Sequence, residues 1–153
     1  MADQVKFNLL EKRCISCTKC SLSTGRTNVV FGRGNPKARI LIIGEGPGQQ
    51  EDEQGLAFVG RAGKMLNKSF LSVGIDTNED CYISNIVKCR PPNNRKPKSI
   101  EIEKCMPWLD SQIELIKPKV IVLAGSTAVQ SYLNINQPIS KIRGKWITRE
   151  SIK

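Results

Sequence analysis

The stretch that most constrains this chain is Ile40-Leu41-Ile42-Ile43 followed at once by Gly44-Glu45-Gly46-Pro47-Gly48-Gln49-Gln50-Glu51-Asp52. An aliphatic run of this length bounded by glycine reads as a short, fully buried strand, the kind found in the sheet of an α/β protein. In open α/β sheets, ligands bind beyond the carboxyl ends of the strands, so the turn after Ile43 is expected to be an active-site loop. Glycines let backbone approach a ligand closely. Glu45 and Glu51 add carboxylates, and Phe58, within Ala57-Phe58-Val59-Gly60-Arg61-Ala62-Gly63, adds a stacking surface. Together these groups suit a small flat ligand.

The remainder alternates strands and helices. Residues 5–13 read as helix and 39–44 as the first strand. A helix is expected over 62–73, with Met65, Leu66, Phe70 and Val73 on one face. Residues 81–87 read as a second strand. The segment 88–98, with Pro91, Pro92 and Pro97, reads as an extended loop. Ser99 is placed to cap the next helix, where Ile102, Met106, Leu109, Ile113 and Ile116 recur at helical spacing and Pro107 marks a kink or restart. Residues 120–123 form a third strand and 126–133 another helix. This alternation predicts an α/β fold with a parallel sheet and crossover helices, in a single domain covering 1–153.

The formal net charge of +10 suits a polyanionic partner, with a merely solvated basic surface as the equal alternative. With no histidine in the chain, imidazole is excluded as base, acid or metal ligand. Neither a membrane-spanning stretch nor a signal-peptide core is legible, so a cytoplasmic location is expected. A disulfide scaffold is correspondingly disfavoured for the six cysteines. Cys17-Thr18-Lys19-Cys20 is a tight pair, while Cys89 and Cys105 form a wider one. The spacing favours an iron–sulfur cluster, leaves zinc open, and has unlinked buried cysteines as its bland alternative. Cys14 competes with Cys17 as a ligand, because Cys14-Ile15-Ser16-Cys17 has the same spacing; Cys81 reads as a small core residue.

Several motifs, in order, resemble one family. Cys17-x-x-Cys20-x-Leu22, Arg26-Thr27, Val30-Phe31-Gly32, the 44–52 loop, Phe58-Val59-Gly60-Arg61-Ala62-Gly63, Ser84-Asn85-Ile86-Val87-Lys88-Cys89-Arg90-Pro91-Pro92-x-x-Arg95 and Arg143-Gly144-Lys145 are similar to the type-4 uracil-DNA glycosylases. The resemblance implies a three-layer α/β/α fold with a short central parallel sheet, and hydrolysis of the N-glycosidic bond of a flipped-out uracil in base-excision repair. It implies a [4Fe-4S] cluster on Cys17, Cys20, Cys89 and Cys105. Uracil-containing DNA, single- or double-stranded, is the expected partner, met by a monomer away from any membrane.

The same resemblance implies site roles. Glu45 and Glu51 would hold the attacking water and offset charge on the sugar. Gly44, Glu45 and Gly46 would line the base, Phe58 would stack on it, and Asn85 would read its Watson–Crick edge. Asp52 reads as a helix-start or salt-bridge residue. Apart from the resemblance, the basic composition of the 88–98 loop and of the turn at Arg61 suits Arg61, Lys88, Arg90 and Arg95 to touch DNA phosphates, simple solvation being the alternative. Family members continue into a last strand and a His-Pro-x-x-Leu-Leu-Arg loop, whereas this sequence stops at Lys153. The expectation is therefore a fold lacking that strand, with weakened activity. An inert iron–sulfur DNA-binding module is the alternative. A dinucleotide-binding reading is weak, since Gly44-Glu45-Gly46-Pro47-Gly48-Gln49 departs from the Gly-x-Gly-x-x-Gly turn.

Overall fold

A computed structural model describes residues 2–149. In chain order its elements are α1 (Ala2–Ile15), α2 (Leu22–Gly25), β1 (Arg33–Gly34), β2 (Ile40–Gly44), α3 (Gln49–Gln54), α4 (Arg61–Leu71) and β3 (Cys81–Asn85). A 3₁₀ turn (Pro92–Asn94), α5 (Ser99–Ile116), β4 (Val120–Leu123), α6 (Ser126–Leu133) and α7 (Ile139–Ile142) complete them.

The sheet order is β1-β3-β2-β4. Strand β2 is central and parallel to both neighbours, pairing Ile42 with Ile83 and with Val122. The purely parallel sheet expected from sequence is corrected at one edge: β1 is antiparallel to β3, with Arg33 opposite Ile83. A strand of two residues, Arg33 and Gly34, preceded by Gly32, is too short for any periodicity to reveal. The step from β2 to β3 and the step from β3 to β4 run in opposite directions across the sheet. Right-handed crossovers then place their helices on opposite faces.

Side-chain packing follows that topology. Leu41, Ile43 and Tyr82 face Phe7 and Leu10 of α1 and Trp108, Leu109 and Ile116 of α5. Phe7 meets Phe31 and Tyr82 edge-on, at centroid distances of 5.4 and 5.3 Å. On the other face Ile42, Cys81 and Ile83 pack with Leu66 and Phe70 of α4. These are the three layers of an α/β/α sandwich, and Cys81 is the core residue expected.

Helix α4 is narrower in its apolar contact than its sequence suggested. Leu66 and Phe70 pack inward, whereas Met65 and Val73 are 67% and 72% exposed. The helix stops at Leu71, and Gly74, at φ +78°, turns the chain so that Ile75 reaches the core in place of Val73. Helix α5 passes through Pro107 without a break, the proline lying on the exposed side. Its N-cap is Lys98, not Ser99: the Glu101 carboxylate accepts the Lys98 amide at 2.8 Å. No described helix is long and apolar enough to cross a membrane.

Candidate active site and cysteine nest

Gly44 and Asn85 end the two parallel strands β2 and β3 and lie opposite each other in the sheet. Pairing continues past them, with the Ile86 amide donating to Gly44 O at 2.8 Å and the Val87 amide to Glu45 O at 3.1 Å. The backbone of the loop is thereby fixed just where it leaves the strand. A side chain at Gly44 would strike the Phe58 ring and come within 2.6 Å of Asn85 Oδ1. Glycine is therefore required by close approach, and the ring, the strand end and the Asn85 amide meet at one spot. Asn85 is 1% exposed, and among the described residues its Oδ1 is the one buried side-chain polar atom without a hydrogen-bond partner. An orphan acceptor of that kind is costly unless a ligand satisfies it.

Phe58 holds an unusual backbone conformation, with φ +54°. Arg33 donates from Nε to Ala57 O at 2.6 Å and from Nη2 to Phe58 O at 3.3 Å. Behind it, a Cβ at Gly63 would collide with the Phe58 carbonyl, so the start of α4 packs directly on that backbone.

The acids divide by role. Glu51, in the first turn of α3, accepts through Oε1 the amides of Gly60 at 2.9 Å and Val59 at 3.2 Å, which fixes its carboxylate beside the Phe58 turn. Glu45 Oε2 accepts a short hydrogen bond from Thr127 Oγ1, at the start of α6. Asp52 turns away and is 3% exposed, accepting the Thr27 amide at 2.9 Å and the Asn28 amide at 3.2 Å. It is a clamp on the 27–28 loop that lies in the first turn of a helix, as expected, but among the described residues it makes no salt bridge. Glu45, Gly46, Glu51, Phe58, Arg61 and Asn85 line one open depression of about 510 Å³, within the range of small-molecule sites. A more apolar groove of about 380 Å³ runs along β4 and Trp146 and contains none of these groups.

The basic residues expected on DNA separate. Arg61 is exposed at the rim of the depression, and Arg90 is half-buried with Nε on Asn94 Oδ1 at 2.7 Å. Lys88 is a correction: it is 1% exposed, and its Nζ donates to Ser84 Oγ at 2.6 Å and Asn85 O at 2.8 Å. Burial pushes its ammonium down to about 8. It cannot reach a phosphate. Arg95 is also redirected, its guanidinium gripping Glu101 at 2.7 and 2.9 Å. That hydrogen bond holds the Glu101 carboxyl down at about 2.

Cys17, Cys20, Cys89 and Cys105 line one cavity, together with Cys14, Arg26, Lys104 and Trp108. Trp108 Nε1 donates to Cys17 Sγ at 3.4 Å, Arg26 Nη1 to Cys89 Sγ at 3.4 Å, and the Lys88 amide to Cys105 Sγ at 3.2 Å. N–H donors on sulfur and cationic lining suit anionic thiolates, so this nest fits a cysteine-held cluster. Among the described residues no group of cysteines or acids is drawn together to hold a single metal ion. Burial raises the Cys105 thiol to about 11 and Cys14 to about 12.

Sequence reasoning missed Arg33 and Thr127, and it had Arg26 only as part of a motif, without its contact to Cys89. Their roles are contacts with segments distant in the chain. The one local hint was Gly32-Arg33-Gly34, an arginine between two glycines.

Comparison with known proteins agrees with this geometry. A family profile described as "Uracil DNA glycosylase superfamily" matches residues 31–152. The chain is 46% identical over 138 residues to the type-4 uracil-DNA glycosylase of Archaeoglobus fulgidus, covering 88% of this chain and 69% of that protein. It is 47% identical over 139 residues to the Thermotoga maritima enzyme, covering 90% and 72%. Against the Sulfurisphaera tokodaii enzyme it is 45% identical over 140 residues, covering 89% and 64%. It thus spans about two thirds of the length of these relatives. The chain belongs to the uracil-DNA glycosylase superfamily and, within it, to the type-4 uracil-DNA glycosylases.

Proposed function

We propose that this protein removes uracil from DNA by hydrolysing its N-glycosidic bond, the step that begins base-excision repair. The observation that carries the reading is the buried, partnerless Asn85 Oδ1 set between Gly44 and the Phe58 ring. Uracil offers N3–H as a donor and O4 as an acceptor, so one carboxamide satisfies both at once. Cytosine presents the reverse pattern and would leave two buried groups unpaired, which is the strong form of rejection. The ligand must be an extruded base, because those atoms are paired inside a duplex.

Bond cleavage builds positive charge on the sugar and negative charge on the departing base. Glu51 is fixed by the Gly60 and Val59 amides and Glu45 by Thr127, so two carboxylates are held at the site before substrate arrives. One orients and deprotonates the water while the pair offsets the sugar's charge. Arg61, exposed at the rim, contacts phosphate in a sequence-independent, salt-sensitive way. All the named groups come from one chain, so a monomer suffices. Extrusion costs least where the base is unpaired, which favours action on single-stranded as well as duplex DNA.

The same reading gives the cysteine nest a [4Fe-4S] cluster on Cys17, Cys20, Cys89 and Cys105. When bound, the cluster ties the segment after α1 to the segments on either side of the 3₁₀ turn. Donors already directed at Cys17, Cys89 and Cys105 support that assignment. Iron and acid-labile sulfide should be present in equal amounts and be lost in Cys89→Ala.

Inhibition by free bases tests the recognition. Uracil should inhibit excision, cytosine should not, and Asn85→Ala should erase the difference. Equal inhibition by both bases in the wild type would refute it.

A further inference from the structure

We propose that Arg33 is the positioning residue that holds Phe58 in its left-handed backbone conformation and thereby sets how tightly the site grips an extruded base. The ligand's identity rests on the uracil reading above; the contact rests on this structure. A phenylalanine at φ +54° is a strained outlier that persists only where its surroundings over-determine it. The carbonyls of Ala57 and Phe58 belong to the two peptide planes flanking the Phe58 Cα. Arg33 donates to both, at 2.6 and 3.3 Å, so one guanidinium fixes the backbone rotations on each side of that atom.

The guanidinium is fixed in turn. Nη2 donates to Asn67 Oδ1 of α4 at 2.9 Å and Nη1 to Asn78 Oδ1 at 2.6 Å, while Thr77 Oγ1 braces Asn67 Oδ1 at 2.8 Å. Arg33 itself lies in β1, paired with Ile83 of β3. A brace thus runs from the sheet, through Arg33, to the Phe58 turn, with Gly63 as the opposing wall. Without the brace Phe58 relaxes toward negative φ, and its ring swings away from Gly44 and Asn85. Apparent affinity then falls in proportion to the remaining competent fraction. Lysine cannot substitute, because a compact ammonium lacks the planar fork that reaches four carbonyl acceptors.

The test compares wild type, Arg33→Met, Arg33→Lys and Gly63→Ala. It reads KM on a single-uracil oligonucleotide, the inhibition constant of free uracil, the single-turnover rate at saturating DNA, and amide hydrogen exchange. In Arg33→Met, KM and the uracil inhibition constant should rise together by about tenfold. The saturating rate should stay within about twofold. Exchange at 57–60 should quicken while β2 and β3 stay protected. Arg33→Lys should match Arg33→Met, and Gly63→Ala should reproduce the effect from the other side. A folded Arg33→Met with unchanged exchange at 57–60 and an unchanged inhibition constant overturns the proposal, as does a loss confined to the saturating rate. Should the wild type release no uracil, the functional reading fails while exchange at 57–60 still decides the role of Arg33. Should Arg33→Met not fold, Asn67→Ala loosens the same guanidinium more mildly, and unchanged exchange there is equally fatal.

Discussion

The Glu51 carboxylate accepts the Gly60 amide at 2.9 Å, so an acid in the first turn of α3 satisfies the N-cap amide of α4. The same contact that satisfies a helix end therefore aims a carboxylate into the site. Chemistry and capping separate on substitution. Glu51→Gln keeps an acceptor for Gly60 but no longer takes a proton, so kcat should fall by ~100- to 10,000-fold. Its melting temperature should drop by no more than about 2 °C. Glu51→Ala should lose the cap as well, about 1 kcal/mol. Kinetics beside thermal melts of the two variants distinguish these effects.

Asn85 sets function against stability. Its buried Oδ1 lacks a partner, so an apolar residue of similar size removes a desolvation cost of about 1 kcal/mol or more. Asn85→Leu should be as stable as the wild type or more stable by chemical denaturation, yet bind no uracil. A destabilised Asn85→Leu would mean that the carboxamide is satisfied within the protein and not by a base.

Much of this arrangement was legible in the sequence because it is local. The Ile40–Ile43 run, the glycine-rich turn and the second strand each announce themselves within a few residues, although that strand stops at Asn85 and not at Val87, and the parallel register then brings Gly44 and Asn85 together. What was not legible depends on segments distant in sequence. Lys88 sits in a stretch rich in basic residues and prolines, and its neighbours suggested a solvated DNA-binding loop. The fold instead turns it inward onto Ser84 and Asn85. Arg95 likewise looked free until α5 brought Glu101 to it. Charge composition identifies a basic chain but not which cations remain at the surface.

Salt dependence of DNA binding checks that correction. Arg61→Ala should reduce the slope of log Kd against log salt by about one unit, the signature of a lost phosphate contact. Lys88→Met should leave the slope unchanged. A slope lowered equally by both would put Lys88 back on the DNA.

Arg95 and Glu101 predict an acid limb of stability. Hydrogen bonding by Arg95 depresses the folded carboxyl from 4.5 to about 2. A depressed carboxylate stabilises fully above its unfolded value and loses that contribution as pH falls through the folded one. Stability should decline from about pH 4.5 toward pH 2, and Glu101→Gln should flatten that limb. Because Arg95 is 33% exposed, the loss in Glu101→Gln at pH 7 should be smaller than that of a fully buried pair. Denaturant titrations across this range measure it.

The central claim is most directly tested by alkali-dependent strand cleavage of a single-uracil oligonucleotide, using the anaerobically purified protein beside a Glu51→Gln, Asn85→Ala double variant. The wild type should cleave at the uracil and not at a cytosine in the same position, and the double variant should cleave at neither. Cleavage that persists undiminished in the double variant, or is absent from a folded wild type, would contradict that claim.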